Sequence, residues 1–288
     1  MSSAIEVRLD DRLRVAGALL AASEWPEREQ AVKAYKPHRV AEHAHRYFTP
    51  HSSHPAVGGA LAMAGEGTGL GALFTHALNG SWPGELGLHV TSFRSVANLE
   101  TFWAETQADW DQARADTEEV MTRADLRQFL IDLFGPPSRA FVLVPNLLYP
   151  GQRSIAASSA SEAVVCLPPP LAWGTSPPWP YKERPDEVLA KLSEAFARFL
   201  FEDGLPAAHA ALQPRAEVFA LASAVLFLRQ AEGDAAGDQF MVMEKKTRGL
   251  KNLPAVVAAL ETVLADRRAG KYGGFADYLP QLAGALQA

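Results

Sequence analysis

Residues 186–202, DEVLAKLSEAFARFLFE, place Leu189, Leu192, Phe196 and Leu200 at i, i+3, i+7 and i+11. That spacing gathers one apolar stripe along a helix. The stretch therefore predicts an amphipathic helix that packs its stripe against a neighbour. Two further helices are expected downstream, over 214–231 and 254–268. The last has a proline at its first turn, two arginines at its end and Gly270 just beyond, all favourable helix punctuation. From Asp186 onward the chain reads as helical.

Immediately upstream the texture differs. Segments 140–148 (AFVLVPNLL) and 163–167 (AVVCL) are apolar, valine-bearing runs separated by a Gly/Ser-containing turn. They read as an antiparallel strand pair. Between them and the helix, 168–185 is so rich in proline that it must be an irregular covering loop. Its aromatics Trp173, Trp179 and Tyr181 either overhang a cleft as a peptide-binding surface or pin the loop onto the sheet.

The N-terminal half predicts a short strand at 5–9, then a helix to Ala22 capped by Asp10 or Asp11. Pro26 and Pro37 bracket further helical segments. Pro55 can open another helix after the turn at 50–54. The glycines of 65–71 lack the fixed spacing and preceding strand of a dinucleotide-binding turn. Residues 85–93 alternate like a strand, and 97–134 reads as two polar-faced helices ending at Gly135. The fold class expected is α+β, helix-rich, with a small mixed or antiparallel central sheet. The expected organisation is one domain over 1–288, mainly helical to 135 and carrying the sheet and site-bearing helices from 136.

The 288 residues are 48% hydrophobic and 21% charged, the balance of an ordinary globular chain. A formal net charge of −6 disfavours nucleic acid and anionic membranes as partners, since phosphate binding wants a basic face. The apolar run 218–228 is too short to span a bilayer. The first ten residues do not read as a signal peptide, and a cytoplasmic location is expected. Cys166, the one cysteine, reads as a buried inert thiol.

The order strand, turn, edge strand, Pro-rich loop, helix, loop, helix resembles that in which zincin metallopeptidases build their sites. More narrowly, the chain resembles a family of largely uncharacterised bacterial zincin-like metallopeptidase homologues of unknown substrate. The likeness runs nearly end to end, through VRLDDRLRVAGALLAASEWPE (7–27), HRYFTPHSSHPAV (45–57), 141–150 and KYGGFADYLPQL (271–282). Intact members carry His-Glu-x-x-His on the helix matching 186–202 and a glutamate ligand on the helix matching 214–231.

The resemblance places Ser193 and Ala197 on the two histidine positions, Glu194 on the general base and Glu217 on the third zinc ligand. A methyl group cannot bind zinc and a serine hydroxyl is a poor ligand, so tight zinc binding is not expected. The resemblance thus implies a degenerate zincin without metal cofactor. It would be a non-catalytic binding or scaffold protein with a peptide or protein ligand in a cleft lined by Ser193, Glu194, Ala197 and Glu217. In the structural alternative, Glu194 is a solvated helix residue and Glu217 a first-turn carboxylate favoured by the helix dipole.

A rival site lies among the clustered histidines. If 36–48 is helical, His38, Glu42 and His45 fall at i, i+4 and i+7 on one face. Two imidazoles and a carboxylate could hold zinc or iron for a hydrolase or peptidase. The acids Asp109, Asp111, Glu118 and Glu119 read instead as the solvated face of a charged helix. His54 reads as a turn residue leading into a helix.

Overall fold

The computed structural model describes residues 5–65, 69–170 and 177–287. In chain order the elements are β1 (Glu6–Val7), α1 (Asp11–Ala22), α2 (Trp25–Val32), α3 (Arg39–Phe48), α4 (Pro55–Ala64), α5 (Gly69–Asn79), α6 (Leu86–Val96), α7 (Leu99–Met121) and α8 (Leu126–Phe134). Then come β2 (Ala140–Pro145), β3 (Ile155–Ser158), β4 (Glu162–Leu167), α9 (Pro185–Gly204), α10 (Ala216–Glu232), α11 (Asp234–Arg248), α12 (Leu253–Arg268) and α13 (Phe275–Gln287). The class is α+β, helix-rich with one small mixed sheet.

The described residues form two compact units. A sheet unit comprises 6–119 and 141–184, and a helical unit comprises 5, 120–140 and 185–287. The change of texture at residue 135 is therefore not where the units divide. The sheet assembles with helices that precede it, and α8 joins the C-terminal helices. Likewise α9, which follows the sheet in the chain, belongs to the other unit. Sequence texture reports what a segment is, whereas long-range packing decides what it joins.

In the sheet unit the strand order is β1-β2-β4-β3. β1 runs parallel to β2, with Glu6 opposite Val142. The antiparallel partner of β4 is β3, with Ile155 opposite Cys166. β3 arises within the segment read as a turn; its Ile-Ala-Ala-Ser is short but alternates buried and half-buried residues. β2 neighbours β4 on the other side, where the Asn146 N–H donates to the Leu167 carbonyl at 2.8 Å. Arg8, just past β1, grips both carboxylate oxygens of Glu162 at 2.7 and 2.8 Å. Such a paired fork fixes the strand end more firmly than one bond would.

α1 is the core of this unit, buried from Leu13 through Ala22. Its Gly17 lets Leu148 and Tyr149 approach closely, since a Cβ there would lie 2.9 Å from Leu148 Cβ and 3.3 Å from the Tyr149 carbonyl. Asp10 caps α1, accepting from the Arg12 N–H at 3.1 Å. Glu29, in the middle of α2, is buried, and its carboxylate accepts from the N–H groups of Gly151 and Gln152 and from the Tyr35 hydroxyl. The 85–93 segment is helical, not a strand. Its residues Val90 and Phe93 are buried three apart, a helical rather than an alternating pattern.

The helical unit is built around α10, whose residues from Val218 to Leu228 are all buried. α9, α11 and α12 pack against it. The continuous segment Ala207–Glu232 has the length and mean hydropathy (1.4) of a membrane span, but 72% of its apolar window is buried inside the protein. A helix enclosed by other helices needs no polar face. α9 buries Leu189, Leu192 and Phe196 of the expected stripe, while Leu200 is only half-buried and Phe201 takes a core position instead. Phe201, Phe219 and Phe275 join three elements in one aromatic cluster. Gly237 allows α11 to approach α10, because a Cβ there would meet the Val225 carbonyl at 2.7 Å.

Candidate functional site

α9 and α10 pack along their lengths, and this contact brings Glu194 and Glu217 to one place on the surface of the helical unit. What joins them is Arg248, the last residue of α11. Its Nη1 and Nη2 donate to the two carboxylate oxygens of Glu194 at 2.8 and 3.2 Å. Nη1 also donates to Glu217 Oε1 at 2.9 Å, and Nε to Glu244 Oε2 at 2.6 Å. One guanidinium thus clasps three carboxylates. Gly249 follows at φ 69°, a left-handed C-cap that ends α11 directly after Arg248.

The clasp is partly withdrawn from water. The side chains of Glu194 and Arg248 are 18% and 32% exposed, and Glu217 is more open. Burial pushes the Glu194 carboxyl above its usual range; Arg248 opposes that rise, while Glu244 and Glu217 reinforce it. Burial also works against the charge on Arg248, but Glu194 and Glu217 hold it more firmly protonated than usual.

Ser193 and Ala197 do not share this surface. Both are fully buried, and the Ser193 hydroxyl donates to the Ala190 carbonyl at 3.0 Å. The expected cleft lined by all four residues is therefore replaced by two faces of one helix. Glu194 points to the clasp, and Ser193 and Ala197 to the core. Here the 100° turn from Ser193 to Glu194 is enough to carry Glu194 out of the core to the surface.

The His38–Glu42–His45 face is put to other uses. His38 is the N-cap of α3, its Nδ1 accepting from the Ala41 N–H at 3.3 Å. Burial lowers its pKa to about 4. His45 places Nδ1 2.8 Å from the Ala21 carbonyl and Nε2 3.1 Å from Glu27. Among the described residues no three His, Cys, Asp or Glu side chains converge to hold a metal ion. His54 caps α4 in the same way as His38, through Nδ1 to the Ala56 N–H at 3.2 Å, as a residue leading into a helix should.

In the Pro-rich loop, Tyr181 is buried and donates its hydroxyl to the Leu167 carbonyl at 2.8 Å, which pins the loop to the sheet. Trp173 lies outside the described residues, as do 66–68 of the glycine stretch. Glu118, Glu119 and Asp111 are exposed. Arg248 and Glu244 are the residues that sequence reasoning missed. Their i, i+4 spacing followed by Gly249 is a helix-end signal that could have revealed them. No protein-family profile, curated protein or solved structure matches the chain.

Proposed function

We propose that this chain is a non-catalytic binding or scaffold protein, a zincin-like relative in which an arginine clasp stands where the resemblance places zinc chemistry. The observation that carries the reading is the engagement of Glu194 and Glu217 by one guanidinium. A carboxylate held at both oxygens by Arg248 is a poor general base, because abstracting a proton would mean giving up charge-assisted hydrogen bonds. The buried Ser193 and Ala197 supply no ligand and no room for one. Peptide or protein ligands remain the partner class implied by the resemblance.

Elemental analysis of untagged, dialysed protein, together with a mixed-peptide turnover assay, tests this. We expect substoichiometric zinc and no turnover above a Glu194→Gln control. Stoichiometric zinc that disappears in Glu217→Ala, or turnover that disappears in Glu194→Gln, overturns the proposal.

A further inference from the structure

α11 packs against α10 and α12, yet Gly237 is the one buried residue among its fifteen. Its inner side holds Gly237 and, in the clasp, Glu244 and Arg248. The opposite side carries Ala235, Gln239, Val242 and Lys246 at i, i+4, i+7 and i+11, all exposed. Met243 stands beside Val242, and these two are 52% and 64% exposed. Phe240 and Met241, just before them, are only half-buried. The other large apolar residues this exposed, among those described, are Val32, Leu88 and Val96, which are not adjacent in the chain. Single apolar side chains on a surface are ordinary, whereas a contiguous apolar patch marks a contact.

The ends of α11 carry opposite charges. Asp234 opens the helix, and Lys245 and Lys246 lie in its last turn. Among the described residues, neither Asp234 nor Lys246 has an ion pair within the chain, whereas Asp238 is matched to Arg229 at 2.6 Å. The helix dipole favours this order of charges, so on their own they would mean little. It does not account for the exposed Val242 and Met243 between them.

We propose that α11 is the interface of a homodimer in which two copies of this helix lie antiparallel across a two-fold axis. An isologous contact needs a self-complementary face, and this one is. With the axis between Phe240 and Met241, Gln239 lies opposite the partner's Val242, and Ala235 opposite the partner's Lys246. The small Ala235 leaves room for the lysine stem, whose ammonium reaches the partner's Asp234. The two-fold axis makes that pair twice, at either end of a central apolar patch. A parallel alignment would set lysine against lysine. An anionic membrane is the poorer occupant, because Asp234 shares this side of the helix and the chain has a formal net charge of −6. One helix pair buries less than the roughly 1,600 Å² of a standard interface, so the dimer is weak, with Kd on the order of 10–100 µM. The inference stands independently of the reading of the clasp, whose Arg248 is turned nearly opposite to Lys246.

The test is sedimentation equilibrium of the full chain from about 5 to about 500 µM, where mass action carries such a dimer from minor to dominant. We expect a monomer–dimer equilibrium. Val242→Ser/Met243→Ser should weaken it about tenfold or more by removing the apolar centre. Asp234→Lys and Lys246→Glu should each weaken it about tenfold or more by setting like charges together. Combining those two reversals in one chain exchanges the partners of each ion pair and should restore the parent affinity. All substituted positions are exposed, and circular dichroism checks that each variant keeps the parent's fold. A parent that stays monomeric throughout, or a dimer indifferent to Val242→Ser/Met243→Ser, overturns the proposal. So does a folded combined variant that associates no better than the single reversals. A monomeric parent that instead floats with phosphatidylserine vesicles, and ceases to in Lys246→Glu, overturns it in favour of a membrane.

Discussion

Arg248→Met removes the guanidinium from the clasp while keeping an unbranched stem in its place. Breaking a fully buried ion pair costs about 3–5 kcal/mol, and an exposed one about 0–1 kcal/mol. With Arg248 32% and Glu194 18% exposed, the clasp falls between these limits. We expect a loss of about 2 kcal/mol near neutral pH, or on the order of 4–8 °C in melting temperature. The pH dependence follows from Glu194. Its folded pKa is raised, so the native state takes up this proton more readily than the unfolded chain does. Once protonated, Glu194 no longer needs a counter-charge. Without Arg248 its pKa climbs further, so the penalty should be largest in mild alkali and shrink as pH falls through the raised range. Urea unfolding of parent and variant between pH ~8 and ~5 measures this directly. Adding Glu194→Gln to the variant should recover about half the loss at the alkaline end, the coupling a double-mutant cycle isolates. A penalty that is the same at both ends of the pH range, or below about 0.5 kcal/mol, would refute the reasoning.

Three further outcomes are expected. Ser193→His/Ala197→His should lose stability by about 1–3 kcal/mol per site through overpacking; a melting temperature that instead rises with zinc would show that the two positions face a common open site. Glu29→Ala leaves the Gly151, Gln152 and Tyr35 donors without their acceptor, and should cost about 3 kcal/mol or more in chemical denaturation, with Glu29→Gln recovering part; a loss under ~1 kcal/mol would mean water replaces the carboxylate freely. His38 has its folded pKa lowered from 6.5 to about 4, so its neutral cap stabilises fully above the unfolded value and is lost as pH falls from there towards 4. His38→Asn, a cap that does not titrate, should flatten the stability profile across that window, and an unchanged slope would remove His38 as its source.

The periodic segments could be read from the sequence because local spacing decided them. The α9 stripe, the Asp10 cap, the Pro55 start of α4 and the paired helices of 97–134 were all legible. The segment 85–93 was not, since Leu86, Leu88 and Val90 alternate over five residues before the helical spacing of Val90 and Phe93 shows itself. β3 was missed because Ile-Ala-Ala-Ser carries one large apolar residue and gains its identity from pairing with β4. The candidate site was legible in half. Glu194 and Glu217 were singled out and do meet, but Arg248 comes from 54 positions along the chain from Glu194, at the end of a helix that had not been recognised. Ser193 and Ala197, expected beside Glu194 in a cleft, lie in the core instead, because helix spacing fixes relative angles and leaves open which way the whole face turns. The partnering of chain segments between the two units was beyond reach, because it depends on contacts among distant stretches.

The interleaving of the two units sets a timetable for biosynthesis. All of the sheet unit has been made once residue 184 emerges, whereas α8, made earlier, belongs to a unit whose other helices begin at residue 185. At about 5–20 residues per second, the remaining stretch takes on the order of 5–20 s to synthesise. The apolar side of α8, formed by Leu126, Phe129, Leu130 and Leu133, waits for α9 at the start of that interval and for α12 until near its end. A nascent chain paused there would present a greasy nine-residue helix beside an otherwise finished sheet unit, the sort of surface that holding chaperones recognise.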